Sequence, residues 1–242
     1  MCLKNKIAFI TGAGGGIGRA IAVALAKEGA KIVLFGGNNQ KKLEETASAV
    51  KEVMAECFVF PFNLTDDEQM QKWFNLAVKQ VGGVDILINN AGVAMSSKFE
   101  DTTAQTFDKI MDINVRAPFL LTQKALPYLF KSDRASVINI ASVVAHAGYP
   151  LQSAYVASKH ALLGFTKSLA AETYDKGVRV HAISPGGVYT DMVKVSRPDL
   201  TPDGMIMPEE ISDIVMFLLK NRGNAVIDEI IVHRLNKQPF LV

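Results

Sequence analysis

The sequence has few cysteines and no run of hydrophobic residues long enough to cross a membrane. Only Cys2 and Cys57 occur among 242 residues, which excludes a disulfide framework for a chain of this size. The apolar run behind the basic N-terminus stops at Gly12, too early for the hydrophobic region of a signal peptide. These absences predict a cytoplasmic protein with no membrane partner.

The sequence also lacks an excess of charge of one sign and the spacings typical of metal sites. Lys and Arg number 26 and Asp and Glu number 24, so the formal net charge is only +2. Without a basic excess, nucleic acid is not an expected partner. The cysteines and the four histidines show neither Cys-x-x-Cys nor His-x-x-x-His spacing, and no metal site is predicted.

What the sequence does contain is a regular alternation of strand-like and helix-like segments. Strands are predicted at 7–11, 31–35, 57–61, 85–89, 136–141, 178–184 and 226–232. Helices are predicted between them, the longest at about 104–130 and 153–176, and the last at 208–220. Continuous apolar strands separated by helices are typical of a parallel sheet covered on both faces. We therefore expect an α/β fold: a single doubly wound domain of the Rossmann type over 1–242, with a parallel sheet of about seven strands flanked by helices.

Several of the eighteen glycines fall directly after the first predicted strand. Residues 11–18 read Thr-Gly-Ala-Gly-Gly-Gly-Ile-Gly and lead into a predicted helix, which is the context that a dinucleotide site requires. Glycines permit a tight turn, let the backbone approach a pyrophosphate and expose the helix N-terminus to its charge. No Gly-Lys-Ser/Thr follows, which excludes a P-loop. A plain strand–helix turn is the less favoured alternative.

The choice between NAD and NADP depends on an acid that is missing. An Asp or Glu about 20 residues after the glycines would bind the ribose hydroxyls of NAD, but none occurs between Glu28 and Glu44. Its absence removes a repulsion against a 2′-phosphate and slightly favours NADP over NAD. Lys41 and Lys42 are the nearest cations, and they also fit a solvated helix face.

Tyr155 and Lys159 lie four residues apart on a predicted helix and therefore on one face. A nearby ammonium favours the phenolate, so we expect a lowered Tyr155 pKa. Such a tyrosine can exchange a proton with an alcohol or carbonyl oxygen while a hydride moves to or from nicotinamide. Ser142 follows the fifth predicted strand, at the edge where doubly wound sheets bind ligands. An exposed Tyr–Lys pair and a turn serine are the alternatives.

Pro118 lies four residues after Asn114 within a predicted helix. Because proline has no N–H, the Asn114 carbonyl is left free and the helix is expected to kink there. A freed carbonyl near the site can hold an ordered water.

These motifs together resemble the short-chain dehydrogenase/reductase family over nearly the whole length. Residues 11–18 match its TGxxxGxG loop and residues 89–92 its Asn-Asn-Ala-Gly element, while Pro185-Gly186 followed by Thr190 resembles its nicotinamide-carboxamide segment. The catalytic tetrad of the family is matched, in order, by Asn114, Ser142, Tyr155 and Lys159.

The resemblance implies a role for each residue of the tetrad. Tyr155 is the general acid and base, Lys159 lowers its pKa and binds the nicotinamide ribose, Ser142 orients the substrate oxygen, and Asn114 anchors a relay water. It also implies a short substrate lid at about 190–208, which contains Met192, Met205 and Met207; a disordered surface loop is the alternative for this stretch. The implied cofactor-binding residues are Gly12, Gly14, Gly15, Gly16, Ile17, Gly18, Gly37, Asn63, Leu64, Asn90, Ala91, Gly92, Val115, Tyr155, Lys159, Pro185, Gly186, Val188 and Thr190.

The sequence departs from the family pattern in three places. Asn63 stands where an adenine-binding Asp is usual, and its amide oxygen could still accept from the adenine amino group. Gly15 and Gly37 replace basic residues that are common in NADP-preferring members. The C-terminal residues 228–235 lack the usual glycine pair and look more like members acting on small hydroxy acids or ketones.

The implied function is an NAD(P)-dependent oxidoreductase that interconverts a carbonyl and a secondary alcohol. A 3-oxoacyl thioester is the first expected substrate, as in 3-oxoacyl-carrier-protein reductase-like members, and a small ketone or hydroxy acid is the second. A homodimer or homotetramer is expected. The alternatives are a catalytically silent nucleotide-binding regulator and a sugar epimerase or dehydratase, for whose larger substrate domain the chain has no room.

Overall fold

The computed structural model describes residues 3–37, 39–196 and 201–238. The strands are β1 Ile7–Thr11, β2 Lys31–Gly36, β3 Cys57–Pro61, β4 Ile86–Asn89, β5 Ser136–Ile140, β6 Arg179–Pro185 and β7 Glu229–Val232. The helices are α1 Gly16–Lys27, α2 Gln40–Glu52, α3 Asp67–Val81, α4 Ala104–Met111, α5 Ala117–Leu129, α6 Ser153–Thr173, α7 Asp191–Ser196 and α8 Pro208–Lys220.

All seven strands form one parallel sheet in the order β3-β2-β1-β4-β5-β6-β7. The chain builds outward from β1 to β3 and then crosses over to place β4 beside β1. The order therefore reverses between β1 and β4, and a doubly wound sheet binds its ligand outside the strand ends at that point. The predicted doubly wound α/β fold is confirmed; a single domain over 1–242 stays a prediction.

Helices cover both faces of the sheet, which explains why its strands are continuously apolar. Ala8 and Ile10 of β1 belong to a core shared with α1 and α8, whereas Phe9 belongs to a core on the opposite face. On that face, the rings of Phe9 and Phe35 meet edge to face with centroids 5.2 Å apart. Every residue of β4 and β5 is buried.

Short polar side chains cap the first turns of α2 and α3. Asp66 accepts a hydrogen bond from the Gln69 N–H at 3.0 Å and begins α3. Asn39 does the same for the Lys42 N–H at 3.1 Å and begins α2. The last strand differs from the prediction: β7 begins at Glu229, three residues later than expected.

The stretch between β6 and α8, which includes the predicted lid, contains the short helix α7. A single parallel bridge pairs Val188 with Ile206 and holds the two ends of the stretch together. Residues 197–200 and the side chain of Met192 lie outside the described residues, so part of the predicted lid at 190–208 does too. None of the helices in the described ranges is long and apolar enough to cross a membrane.

Candidate active site

The turn after β1 is built so tightly that three of its positions accept only glycine. Gly12 has φ +64°, and a Cβ there would lie 2.8 Å from the Ala91 Cα. Gly16 has φ +50°, and its Cβ would lie 2.9 Å from the Thr190 Cγ2. A Cβ on Gly18 would lie 2.4 Å from the Gly12 carbonyl oxygen. Close packing of helix and turn therefore requires these three glycines.

Asn90 and Thr11 join the glycine turn to the loop after β4. The Asn90 Nδ2 donates to the carbonyls of Thr11 at 3.0 Å and Gly12 at 3.2 Å. In return, the Thr11 Oγ1 accepts from the backbone N–H groups of Asn90 and Ala91, both at 3.0 Å. A Cβ on Gly92 would lie 3.4 Å from the Asn114 Oδ1 and 3.7 Å from the Lys159 Nζ. The Asn-Asn-Ala-Gly element thus links the glycine turn to the predicted catalytic residues.

A groove of about 260 Å³ lies against the glycine turn and the start of α2. Its lining residues are Gly12, Gly14, Gly15, Gly36, Gly37, Asn39, Lys42 and Leu43. Gly15 and Gly37 open onto free space, because a Cβ on either would meet no atom within 4 Å. None of the described lining residues is acidic, and the first turn of α1 carries no acid either. Exposed backbone, a helix N-terminus and the absence of negative charge fit the phosphates of NAD or NADP.

Lys42 lines this groove and contacts Asp191, the residue that follows Thr190. Its Nζ pairs with the Asp191 Oδ2 at 2.8 Å, and this contact keeps the pKa of the Asp191 carboxyl below its usual range. Sequence spacing does not reveal the pair, since 149 residues separate its members.

Asn63, Leu64 and Val115 are the next cofactor-binding residues expected from the sequence. The Asn63 Oδ1 accepts from the Thr65 N–H at 3.1 Å and the Thr65 Oγ1 at 3.0 Å, so the turn already uses the oxygen expected to bind adenine. Leu64 is buried and Val115 half-buried.

Tyr155 and Lys159 share one face of α6, as the spacing predicts. Lys159 is 4% exposed, and its Nζ donates to the Ile140 carbonyl at 2.8 Å, at the end of β5. The same Nζ is 5.8 Å from the centre of the Tyr155 ring. An ammonium this deep in the fold is costly unless it is hydrogen-bonded, and the Ile140 carbonyl supplies one bond.

Burial governs the titration of both groups. It raises the pKa of Tyr155 above the ordinary value, with the hydroxyl of Ser142 opposing the rise through a hydrogen bond. It also lowers the pKa of Lys159 from 10.5 to about 8. The expected lowering of the Tyr155 pKa is therefore wrong for this structure, because desolvation is the largest cause of its shift. At neutral pH Tyr155 holds its proton and can donate it.

Ser142 caps the short turn 143–145 that follows β5. Its Oγ accepts weakly from the Val144 N–H and donates to the Pro185 carbonyl, both at 3.4 Å. The serine is buried at the carboxyl end of β5, within hydrogen-bonding reach of Tyr155. Ser142 is thus a turn cap, as the alternative reading of the sequence has it, and its role toward the substrate oxygen stays a prediction.

The helix around Asn114 widens into a π turn over 112–116, between α4 and α5. The N–H of Ala117 reaches back five residues to the Asp112 carbonyl, directly before Pro118. The structure thus interrupts the predicted helix with a π turn at this point, while the kink and the free Asn114 carbonyl stay predictions. Asn114 is fully buried; its Oδ1 accepts from the Val93 N–H at 2.8 Å and its Nδ2 donates to the Ser158 Oγ at 3.0 Å.

Ser158 is a buried residue that the sequence reasoning missed. Its Oγ donates to the Tyr155 carbonyl at 2.7 Å and accepts from Asn114, so it ties the π turn to α6. Its position between Tyr155 and Lys159 was the only available signal. In the segment after β6 that is predicted to hold the nicotinamide, the Gly186 N–H donates to the Val232 carbonyl at 2.8 Å, and Val188 is buried.

The structure brings the glycine turn, the loop 90–92 and the four predicted catalytic residues to one edge of the sheet. Within the described ranges, no cluster of His, Cys, Asp and Glu is suited to hold a metal ion. The site thus offers a half-buried, protonated phenol beside a buried serine hydroxyl and a buried lysine. That set can stabilise a carbonyl oxygen and deliver a proton to it.

Comparisons with known proteins agree with this geometry. The family model described as short chain dehydrogenase matches residues 6–201. The 3-oxoacyl-[acyl-carrier-protein] reductase of Thermotoga maritima is 30% identical over 241 residues, covering 96% of this chain and 97% of that protein.

Two solved structures carry cofactors of different kinds. The alcohol dehydrogenase of Thermococcus sibiricus, complexed with 5-hydroxy-NADP, is 26% identical with a TM-score of 0.88, over 97% of this chain and 98% of that one. The 3-ketoacyl-(acyl-carrier-protein) reductase of Brucella melitensis, complexed with NADH, is 27% identical with a TM-score of 0.84, over 96% and 97%. The chain therefore belongs to the short-chain dehydrogenase/reductase family of NAD(P)-dependent oxidoreductases.

Proposed function

We propose that this protein interconverts a carbonyl and a secondary alcohol, with Tyr155 as the general acid and base. The observation that carries the proposal is the cluster of polar side chains at the carboxyl edge of the sheet. There the Tyr155 hydroxyl lies beside Ser142, and Lys159 and Asn114 are fixed behind it by hydrogen bonds. A regulator that only binds nucleotide needs the glycine turn but has no use for this cluster.

In the direction of reduction, the hydroxyls of Ser142 and Tyr155 donate hydrogen bonds to the carbonyl oxygen of the substrate. Reduced nicotinamide, when bound, supplies a hydride to the carbonyl carbon. Tyr155 gives its proton to the oxygen, which completes the alcohol, and it recovers a proton from solvent. With a pKa near 8, Lys159 can lose and regain a proton at physiological pH and so assist this recovery.

The cofactor is NAD or NADP, and we propose NADP by a slight margin. The described groove residues include no acid that would repel a 2′-phosphate, and this absence carries the preference, because Lys42 in the groove lining is already paired with Asp191. The glycine turn, Ile17 and the loop 90–92 would hold the diphosphate and adenosine. The segment from Pro185 to Thr190 would hold the nicotinamide, with Lys159 on its ribose.

Two classes of substrate are proposed. A 3-oxoacyl thioester is supported by the similarity to two reductases of that name. A small ketone or hydroxy acid is supported by the C-terminal segment, which places a half-buried arginine, Arg234, where the family usually has its glycine pair. We also propose a homodimer or homotetramer, because the large side chains of Phe119, Phe217 and Ile231 are substantially exposed.

The decisive experiment is a panel of carbonyl compounds and secondary alcohols, followed by the absorbance of NADPH or NADH. We expect consumption of reduced cofactor with at least one class of carbonyl, and the reverse reaction with the matching alcohol. Tight nucleotide binding without turnover across the panel would contradict the proposal and favour a nucleotide-binding regulator.

A further inference from the structure

Beyond the predicted catalytic residues, the carboxyl edge of the sheet carries one more charged side chain. Arg234 lies two residues beyond the end of β7. β7 pairs with β6, and Val232 lies opposite Pro185, the last residue of β6. Arg234 is therefore on the edge where doubly wound sheets bind their ligands, beside the segment that Ser142 contacts.

The shaft of Arg234 packs on the loop that follows β6. Its Cγ is 3.7 Å from the place that a Cβ on Gly186 would occupy, and its Cδ is 3.3 Å from that place on Gly187. Its Nη1 donates to the Met205 Sδ at 3.3 Å, and Met205 is buried. The guanidinium thus lies between the loop after β6 and the stretch before α8, and Arg234 as a whole is half-buried.

This guanidinium is poorly matched by its protein partners. It has five N–H donors, and the thioether that it contacts is a weak acceptor. Among the residues that the structure describes, no carboxylate lies within ion-pair distance of it. By contrast, Arg116 pairs with both carboxylate oxygens of Asp67, and Arg222 donates to the Ser136 Oγ and the Ala135 carbonyl.

We propose that Arg234 binds a carboxylate of the carbonyl substrate, so that the preferred substrate is an oxo acid rather than a neutral ketone or a thioester. The inference rests on the proposed function of the site. A planar guanidinium binds a carboxylate through two parallel hydrogen bonds, which fixes orientation as well as charge. The loop that Arg234 covers begins at Pro185, whose carbonyl is 3.4 Å from the Ser142 Oγ. This nearness suits a short oxo acid whose carboxylate lies a few bonds from the reacting carbonyl.

The test compares acetoacetate with methyl acetoacetate, which differ in the charge of one end. For the wild type we expect a higher kcat/KM with acetoacetate. In Arg234→Met, kcat/KM for acetoacetate should fall about 30- to 100-fold and that for the ester less than about threefold, because one charge-assisted contact is lost. Arg234→Lys should retain part of the preference. The control Lys237→Met removes an exposed cation three residues away and should change neither value.

A wild type that prefers the ester, or an Arg234→Met variant that loses both substrates equally, would overturn the proposal. A second measurement is independent of turnover: acetoacetate should raise the melting temperature of the wild type in the presence of NADPH, and this rise should be absent in Arg234→Met. If no carbonyl is reduced at all, the proposed function fails, while the melting experiment still decides whether Arg234 binds the anion. No acetoacetate-dependent rise in the wild type would overturn the inference.

Discussion

The two halves of the proposed cofactor and substrate site are built from different materials. On the glycine side, contacts are made by backbone: Gly12, Gly16 and Gly18 leave no room for a Cβ, and Gly15 and Gly37 leave open space. On the catalytic side, contacts are made by buried side chains, among them Asn114 and Lys159, each hydrogen-bonded within the fold.

The difference follows from what each half has to do. A diphosphate needs N–H groups and a close approach of the main chain, which any residue larger than glycine would block. Proton transfer needs particular functional groups in a dry environment, where hydrogen bonds fix their positions. Substitutions on the glycine side should therefore change cofactor binding and stability, and those on the catalytic side should change kcat.

The largest effect is expected for Tyr155→Phe, which removes only the hydroxyl. Because the proton donor is lost, kcat for carbonyl reduction should fall about 10³-fold or more, while the Kd of the reduced cofactor stays within about threefold. Steady-state kinetics and a fluorescence titration measure the two quantities. Tyr149→Phe, which alters an exposed tyrosine in the loop before α6, is the matched control and should retain full activity. Undiminished carbonyl reduction by Tyr155→Phe would contradict the assignment of proton transfer to the catalytic side of the site.

Local patterns in the sequence were sufficient for the sheet and for the choice of candidate residues. The signals of a strand or a helix lie within short stretches of neighbouring residues. All seven strands are therefore predicted from the sequence, most of them to within a residue or two at each end. The glycine turn and the Tyr155–Lys159 spacing are likewise local. The bridge between Lys42 and Asp191 and the contact of Arg234 with Met205 join distant parts of the chain, and no local pattern signals them.

The Tyr155 pKa shows a second limit of sequence reasoning. Spacing indicated that Lys159 and Tyr155 share a helix face, which is correct, but the sign of the pKa shift depends on how deeply both are buried. The Ile140 carbonyl holds the Lys159 ammonium, and desolvation dominates at the phenol. Burial is a property of the packed fold, so it became visible only in three dimensions.

The second prediction compares the same substitution in two helices. Gly18→Ala places a Cβ 2.4 Å from the Gly12 carbonyl oxygen, whereas Gly164 in α6 has nothing within 4 Å of that position. Gly18→Ala should lower the free energy of unfolding by about 3 kcal/mol, seen in thermal or urea unfolding, and weaken cofactor binding. Gly164→Ala should be neutral or stabilising by about 1 kcal/mol, since alanine favours a helix. Equal effects at both positions would contradict a special role for the glycine turn.

The third prediction concerns Lys159 and the pH dependence of stability. Its pKa is about 8 in the folded protein and 10.5 as an unperturbed group, so between these values the unfolded chain binds more protons. Stability should therefore rise with pH through this window. Replacing the lysine by methionine removes the contribution. Between pH 7 and pH 9.5 the free energy of unfolding of the wild type should therefore rise by about 2 kcal/mol relative to that of Lys159→Met. Urea unfolding at both pH values measures it, and a fall of this relative stability with pH would contradict the burial of the ammonium.

The smallest effect is expected where the glycine side has open space. Gly37 lines the groove, a Cβ added there would meet no atom within 4 Å, and its φ lies outside the left-handed region, so a side chain can be added without strain. An aspartate there would repel the 2′-phosphate of NADP and accept from the ribose hydroxyls of NAD. In Gly37→Asp the ratio of kcat/KM for NADPH to that for NADH should fall about tenfold, the equivalent of roughly 1.4 kcal/mol. Gly37→Asn has nearly the same shape without the charge and should change the ratio less than about threefold. Equal shifts in both variants would mean that the shape of the side chain at position 37, and not its charge, determines the choice between NADPH and NADH.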